Sequence, residues 1–339
     1  MKKRIIILAD EALRPMHSKS ESVLIRYLQK EIIGVVDRVN AGKTLQQVLG
    51  FGGEIPVTAT LDELLKLKPN HIIIGLSKTG GGLPVALYPL IIKALQMRLT
   101  IINGYHQFLN ETAEFKLLAD KYKVKIIDLR STDDKYLKFR GRTKNLKSRN
   151  IMTIGTNELS GKLTTTIELV SGLHQRGVSA DWLATSLTGR LVKGKGIITD
   201  ATRSDLVSAT VENEMVGMGD KFEYIVIEGR GGIYNPVSAS ANIGILHGAM
   251  PDALILCHRA EINDSQTILT NTIETYRQLL SAINSAPVLV ISLNTAMLSE
   301  SEAASQIQKV ETKFGLPVTD PVRFGVDKIA DTLINYFSK

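Results

Sequence analysis

Residues Gly155–Thr165 read Gly-Thr-Asn-Glu-Leu-Ser-Gly-Lys-Leu-Thr-Thr, two glycines closing a short polar loop directly ahead of a lysine and two threonines. That spacing suits a phosphate cradle. Glycines let successive backbone N–H groups point inward, a following helix adds the positive end of its dipole, and Lys162 brings a mobile charge. Gly155, Thr156, Asn157, Gly161, Lys162, Thr164 and Thr165 are the candidate phosphate- and nucleotide-binding residues. Two departures from the common phosphate loop matter. Five residues rather than four separate the glycines, and Leu163 stands where a Ser or Thr hydroxyl ordinarily ligates Mg²⁺. Leucine offers no such oxygen, so the loop favours binding a phosphorylated nucleotide over hydrolysing one. A second Gly-Lys lies in Asp37–Thr44, but Asp37 occupies the place of the opening glycine and would repel phosphates, which excludes it.

Further along, the apolar run Phe222–Ile227 ends at Glu228, followed by Gly-Arg-Gly-Gly. A carboxylate at a strand tip can act as general base or, if Mg²⁺ is used, as its partner; capping the following turn is the plainer role. Arg230 is a candidate for an anionic substrate, because its fork pairs with carboxylates in bidentate fashion. His247 is the second catalytic candidate, since imidazole titrates near neutrality. His258, Asp200 and Asp205 are candidate substrate contacts; the last two share with Glu212 and Glu214 a stretch that equally reads as the solvated face of a helix. Neither His247 nor His258 has metal-ligand spacing to another His or Cys, so no certain metal site is expected. Cys257, the single cysteine, cannot form an internal disulfide and reads as a small buried thiol rather than a nucleophile.

These residues need elements to hold them. Short apolar runs at residues 3–9, 31–36, 71–75, 99–103 and 123–129 alternate with helix-like stretches at 21–30, 61–68, 86–97 and 113–122, the second opened by Thr60 as an N-cap. That alternation predicts an N-terminal Rossmann-like open parallel sheet over residues 1–134, with ligands beyond the carboxyl ends of its strands, at Asp10–Arg14, Asp37–Thr44, Ser77–Pro84 and Gly104–His106. The pattern restarts with strands at 150–154, 181–185, 223–227, 253–257 and 287–293 and helices at 161–175, 266–283, 300–313 and 327–337. This predicts a C-terminal α/β domain of the P-loop NTPase kind over residues 150–339.

A length of 339 residues fits two domains, and 44% apolar with 22% charged residues excludes collagen-like and disordered chains. No apolar run reaches the ~18 residues of a membrane span, and the N-terminus meets a charge too early for a signal-peptide core, so a cytoplasmic protein without a membrane partner is expected. The net charge of +7 is local. Lys135, Lys138, Arg140, Arg142, Lys144, Lys147 and Arg149 crowd residues 135–149, and removing those seven from the 41 basic residues leaves 34 against 34 acidic ones. The segment reads as a basic interdomain linker that could help gather an anionic cofactor. With Tyr136 and Phe139 as its only aromatics it is thin for base stacking, and no nucleic-acid partner is expected.

The phosphate loop, with Thr185–Gly196, Ile227–Pro236, Ile245–Ala260 and Gly315–Gly325, resembles a bacterial and archaeal family of two-domain proteins long described as of unknown function. Val35–Lys43, Ile72–Pro84 and Ile102–Leu109 of the first domain resemble it too, so nearly the whole chain is covered. The loop is similar to that of dethiobiotin synthetase, which also has five residues between its glycines. Some family members are D-glutamate N-acetyltransferases, which implies acetyl-CoA as donor, an amino acid as small-molecule acceptor and an N-acetyl amino acid as product; a homo-oligomer is also expected. This sequence departs from the family pattern at Asn157–Ser160, in Thr185–Gly189 and in Gly231–Pro236, the loops expected to touch ligand. Two other classes stay open: an ATP- and Mg²⁺-dependent ligase of the dethiobiotin-synthetase kind, and a nucleotide-binding regulator.

Overall fold

The computed structural model describes residues 2–9, 13–14, 19–76, 82–132, 138–260 and 265–338. Asp10, part of the segment Ser77–Pro84, Lys135 and Tyr136 lie outside them. The chain divides into two compact units, Met1–Asp133 and Asp134–Lys339.

The first unit alternates β1 (Ile5–Leu8), α1 (Lys19–Tyr27), β2 (Ile32–Val36), α2 (Leu45–Leu49), β3 (Val57–Thr58), α3 (Asp62–Leu65), β4 (His71–Ile74), α4 (Tyr88–Gln96), β5 (Thr100–Asn103), α5 (Ala113–Tyr122) and β6 (Ile126–Asp128). Its six parallel strands run in the order β3-β2-β1-β4-β5-β6, the doubly wound Rossmann-like arrangement. Strands such as Ile5–Leu8 are apolar throughout because both faces are covered. Thr60 does not cap α3 with its side chain; its hydroxyl donates to Glu63 Oε1 instead. The rejected Gly-Lys segment is a tight turn: Asp37 is buried and accepts hydrogen bonds from Leu13 N (3.1 Å) and Asn40 N (3.0 Å).

The second unit carries β7 (Arg149–Gly155), α6 (Lys162–Gln175), β8 (Ala180–Leu183), α7 (Leu187–Lys193), α8 (Val207–Met218), β9 (Tyr224–Ile227), α9 (Ala239–Ala249), β10 (Ala253–Arg259), α10 (Ser265–Ser281), β11 (Val288–Asn294), α11 (Glu300–Phe314), β12 (Val318–Thr319) and α12 (Asp327–Phe337). All six strands are parallel, in the order β12-β11-β10-β7-β9-β8, with an apolar core on each face. The loop following β7 therefore emerges from the interior of the sheet, flanked by the carboxyl ends of β9 and β10.

The basic segment is held more firmly than a linker would be. From Lys138 onward it packs on the second unit, and Glu212, fully buried on α8, is the reason. Its carboxylate accepts the backbone N–H groups of Arg140 (2.9 Å) and Arg142 and pairs with the Arg142 guanidinium at 3.5 Å. Thr143, also buried, donates to Gly248 O at 2.7 Å. Lys138, Lys144 and Lys147 remain exposed.

Candidate functional site

The loop between β7 and α6 closes on its own lysine. Lys162 is 7% exposed, and its Nζ donates to Asn157 O (2.7 Å) and Ser160 Oγ (3.0 Å). Leu159 and Gly161 take left-handed backbone, φ 58° and 96°, which turns the chain so that α6 starts at Lys162. Neighbouring strands brace the loop. Thr156 N donates to Cys257 O (3.2 Å), Thr156 Oγ1 meets His258 Nδ1 (2.9 Å), and Asn294, at the end of β11, donates to Leu159 O (3.1 Å). Asn235 reaches Asn157 Oδ1 at 3.3 Å.

Glu228 lies beside this loop, 3% exposed at the tip of β9. Its Oε2 accepts Thr185 N (2.9 Å) and Ser186 N (3.2 Å), and its backbone carbonyl accepts the Thr185 hydroxyl (2.7 Å). The carboxylate thus ties the end of β8 to β9, a different turn from the one expected. Gly229 follows at close quarters: a Cβ there would lie 1.8 Å from Thr153 O and 3.4 Å from Lys162 Cδ. Arg230 approaches Asp200, Nη2 to Oδ1 3.6 Å, and Asp200 is brought there by Thr199, whose N–H and hydroxyl both donate to Thr185 O.

Of the residues singled out from sequence, Gly155–Thr165, Glu228, Arg230, Asp200 and His258 gather at the carboxyl edge of this sheet. Two do not. His247 is exposed in the last turn of α9, six residues before β10, and so sits at the opposite, amino-terminal edge; Asp252, immediately ahead of β10, is bonded to Asn150 at the start of β7. Asp205 lies exposed in the turn before α8, paired with Arg203 at 3.2 Å. Two further assignments shift in character. Thr165 is buried with its hydroxyl against Ser292 Oγ (2.8 Å), tying helix to sheet, so Thr164, half-buried in the first turn of α6, is the hydroxyl left to serve a phosphate. His258 is fully buried and braces Thr156. Thr185 and Ser186 lie in a loop the family resemblance marked as touching ligand, without roles of their own; Asn294 was missed, though it carried a signal, being the polar residue just past an apolar strand.

Cys257 is fully buried under α6, and its thiol is pushed up to about 11, chiefly by burial. A thiol that ionises in the unfolded chain near 9.0 but resists in the folded one favours unfolding at high pH. Stability is then unaffected by this group below pH 9 and falls between pH 9 and 11, by about 2–3 kcal/mol in all. Denaturant titrations across that range should show a steeper fall in the natural protein than in Cys257→Ala. Equal slopes would exclude this account. Tyr276, also pushed up by burial, contributes only above its ordinary value of 10.0 and is common to both proteins.

Among the described residues no group of three or more His, Cys, Asp or Glu side chains could hold a metal ion, and no helix is long and apolar enough to cross a membrane. Residues 138–330 match a family profile described as a domain of unknown function, the DUF1611 P-loop domain, and residues 38–132 match its Rossmann-like companion. A protein of Pseudoalteromonas named D-glutamate N-acetyltransferase is 28% identical over 279 residues, 80% of this chain and 83% of that one. Its namesake from Tritonibacter scottomollicae is 25% identical over 293 residues, 84% and 87% of the two chains. The crystal structure of a DUF1611 family protein from Anabaena variabilis, 30% identical, superposes with a TM-score of 0.92 over 98% of this chain and 99% of that one.

Proposed function

The chain belongs to the DUF1611 family, and from that premise we propose that it is an acetyl-CoA-dependent N-acetyltransferase acting on an amino acid of the D-glutamate kind. The observation that carries this reading is the loop itself. It presents backbone N–H groups, Lys162 and Thr164 at a helix start, yet has Leu163 where a Mg²⁺-ligating hydroxyl would stand. Coenzyme A bears a pyrophosphate and a ribose phosphate, which such a loop can hold without cleaving a phosphoanhydride.

In this reading Lys162 and the loop N–H groups hold phosphate oxygens, and His258 and Asn294 keep the loop in shape through Thr156 and Leu159. Acetyl-CoA supplies the thioester; the carbon–nitrogen bond to the amine forms as the carbon–sulfur bond breaks, and the amine loses a proton. Glu228, buried at the tip of β9 beside the loop, is the group assigned to take that proton. Its Oε2 is fixed by two backbone N–H groups, which leaves Oε1 for the amine.

The test is thiol release from acetyl-CoA in the presence of D-glutamate and related amino acids, with and without Mg²⁺. Metal-independent release, matched by N-acetyl amino acid, is the expected result. No thiol release with any amino acid would sink the assignment, and ADP formed from ATP and Mg²⁺ would assign a ligase in its place. Coenzyme A at 100 times its dissociation constant should also stabilise the protein by about 2.7 kcal/mol.

A further inference from the structure

Three buried polar atoms without a hydrogen-bond partner lie close together in sequence just past Glu228: Arg230 Nε, Ser238 Oγ and Asn242 Oδ1. Ser238 is 7% exposed and Asn242 fully buried, one turn apart on the same side of α9. The backbone between them and β9 is shaped around the serine. Gly231 has φ 35°, and a Cβ on it would lie 1.7 Å from Ser238 Oγ, so the hydroxyl rests directly against the residue that follows Arg230. Asn242 is fixed from behind, its amide donating to Tyr276 OH at 2.6 Å.

Buried donors in a native structure have acceptors, and two neighbouring donors left without one mark a place where the acceptor comes from elsewhere. We propose that Arg230 and Ser238 form the receptor for a carboxylate of the acceptor, which makes the substrate class a free amino acid rather than a simple amine. The inference rests on the acetyltransferase reading and deepens it. Arg230 Nε offers a hydrogen bond to one carboxylate oxygen and the Ser238 hydroxyl to the other, while Nη2, on the same edge of the guanidinium as Nε, faces Asp200 Oδ1 at 3.6 Å. Asp200 faces the arginine with negative charge. That neighbour disfavours a doubly charged phosphate and suits a zwitterion, whose ammonium group then lies beside the acid. The phosphates have their own cation in Lys162.

Isothermal titration with D-glutamate, other free amino acids, their α-amides and the matching amines lacking a carboxylate tests this on the full chain, alongside coenzyme A. Free amino acids should bind and the amines should not. Ser238→Ala should weaken the bound amino acid about 10-fold and Arg230→Lys by up to about 100-fold, in line with lost charge-assisted hydrogen bonds, with coenzyme A affinity within twofold of the natural protein. In turnover the acceptor KM should rise more than kcat falls. Ser238→Ala removes only a hydroxyl, and circular dichroism confirms that both variants fold. Unchanged amino-acid affinity in both folded variants would overturn the receptor while leaving the transferase reading intact, as would a matching loss of coenzyme A affinity. Carboxylate-dependent binding without any thiol release would sink the transferase reading and leave the receptor standing. If no amino acid binds, both fall.

Discussion

Replacing Lys162 with alanine should lower the affinity for coenzyme A by roughly 10- to 150-fold, the equivalent of one charge-assisted hydrogen bond of about 1.5–3 kcal/mol. The lysine is 7% exposed and already turned into the loop, with Nζ on Asn157 O and Ser160 Oγ, so little side-chain freedom remains to be lost when it meets a phosphate. A Lys162→Arg exchange should not restore the affinity. A Cβ on Gly155 would lie 2.6 Å from Nζ, which measures how little room there is for a broader guanidinium. Titration calorimetry of the three proteins checks this. Affinity retained in Lys162→Ala would mean that the phosphates are held elsewhere.

The largest effect on stability belongs to Gly229→Ala. The added carbon would sit 1.8 Å from Thr153 O, a backbone atom of the neighbouring strand that cannot swing aside as a side chain can. Relief requires β7 and β9 to part beside the phosphate loop. Overpacking of this kind costs about 3 kcal/mol or more, or roughly 6–12 °C in Tm for a unit of this size. Gly217→Ala is the natural control. It lies within α8 with nothing within 4 Å of its added carbon, so helix propensity alone should make it neutral or stabilising by up to about 1 kcal/mol. Thermal unfolding that places both variants alike would show that the close approach at Gly229 is not real.

The parallel strands and helices with one apolar side were legible in the sequence, α5 and α12 to the residue. What escaped has physical reasons. The helices α8 and α9 pack closely, a Cβ on Gly248 meeting Ser208 O at 2.6 Å and one on Gly244 meeting Val207 Cγ1 at 2.7 Å, so each is buried on several sides and shows no amphipathic stripe. With α9 unread, nothing in the sequence showed that His247, the second catalytic candidate, ends a helix at the amino-terminal edge of the sheet. The strands β3 and β12 have two residues each, too few for a period. At the site, spacing located the loop and Glu228. It could not show that Oε2 of Glu228 is already engaged by two N–H groups, because Thr185 and Ser186 lie some forty residues away. Ser238 left no signal either; its significance comes from Gly231 pressing on it.

The buried thiol makes the molecule its own timekeeper. Cys257 pairs in the sheet with Gly155 and Ser292, and its sulfur touches Thr165 of α6 at 3.6 Å, so a reagent can reach it only when the helix behind the phosphate loop lifts from the sheet. With one cysteine in the chain, every alkylation event counts such an opening. Under conditions where closing outruns reaction, the labelling rate is proportional to the population of the open form. A compound that binds only the closed form slows labelling by the factor one plus its concentration over its dissociation constant. Labelling kinetics would therefore rank candidate ligands before any turnover has been found.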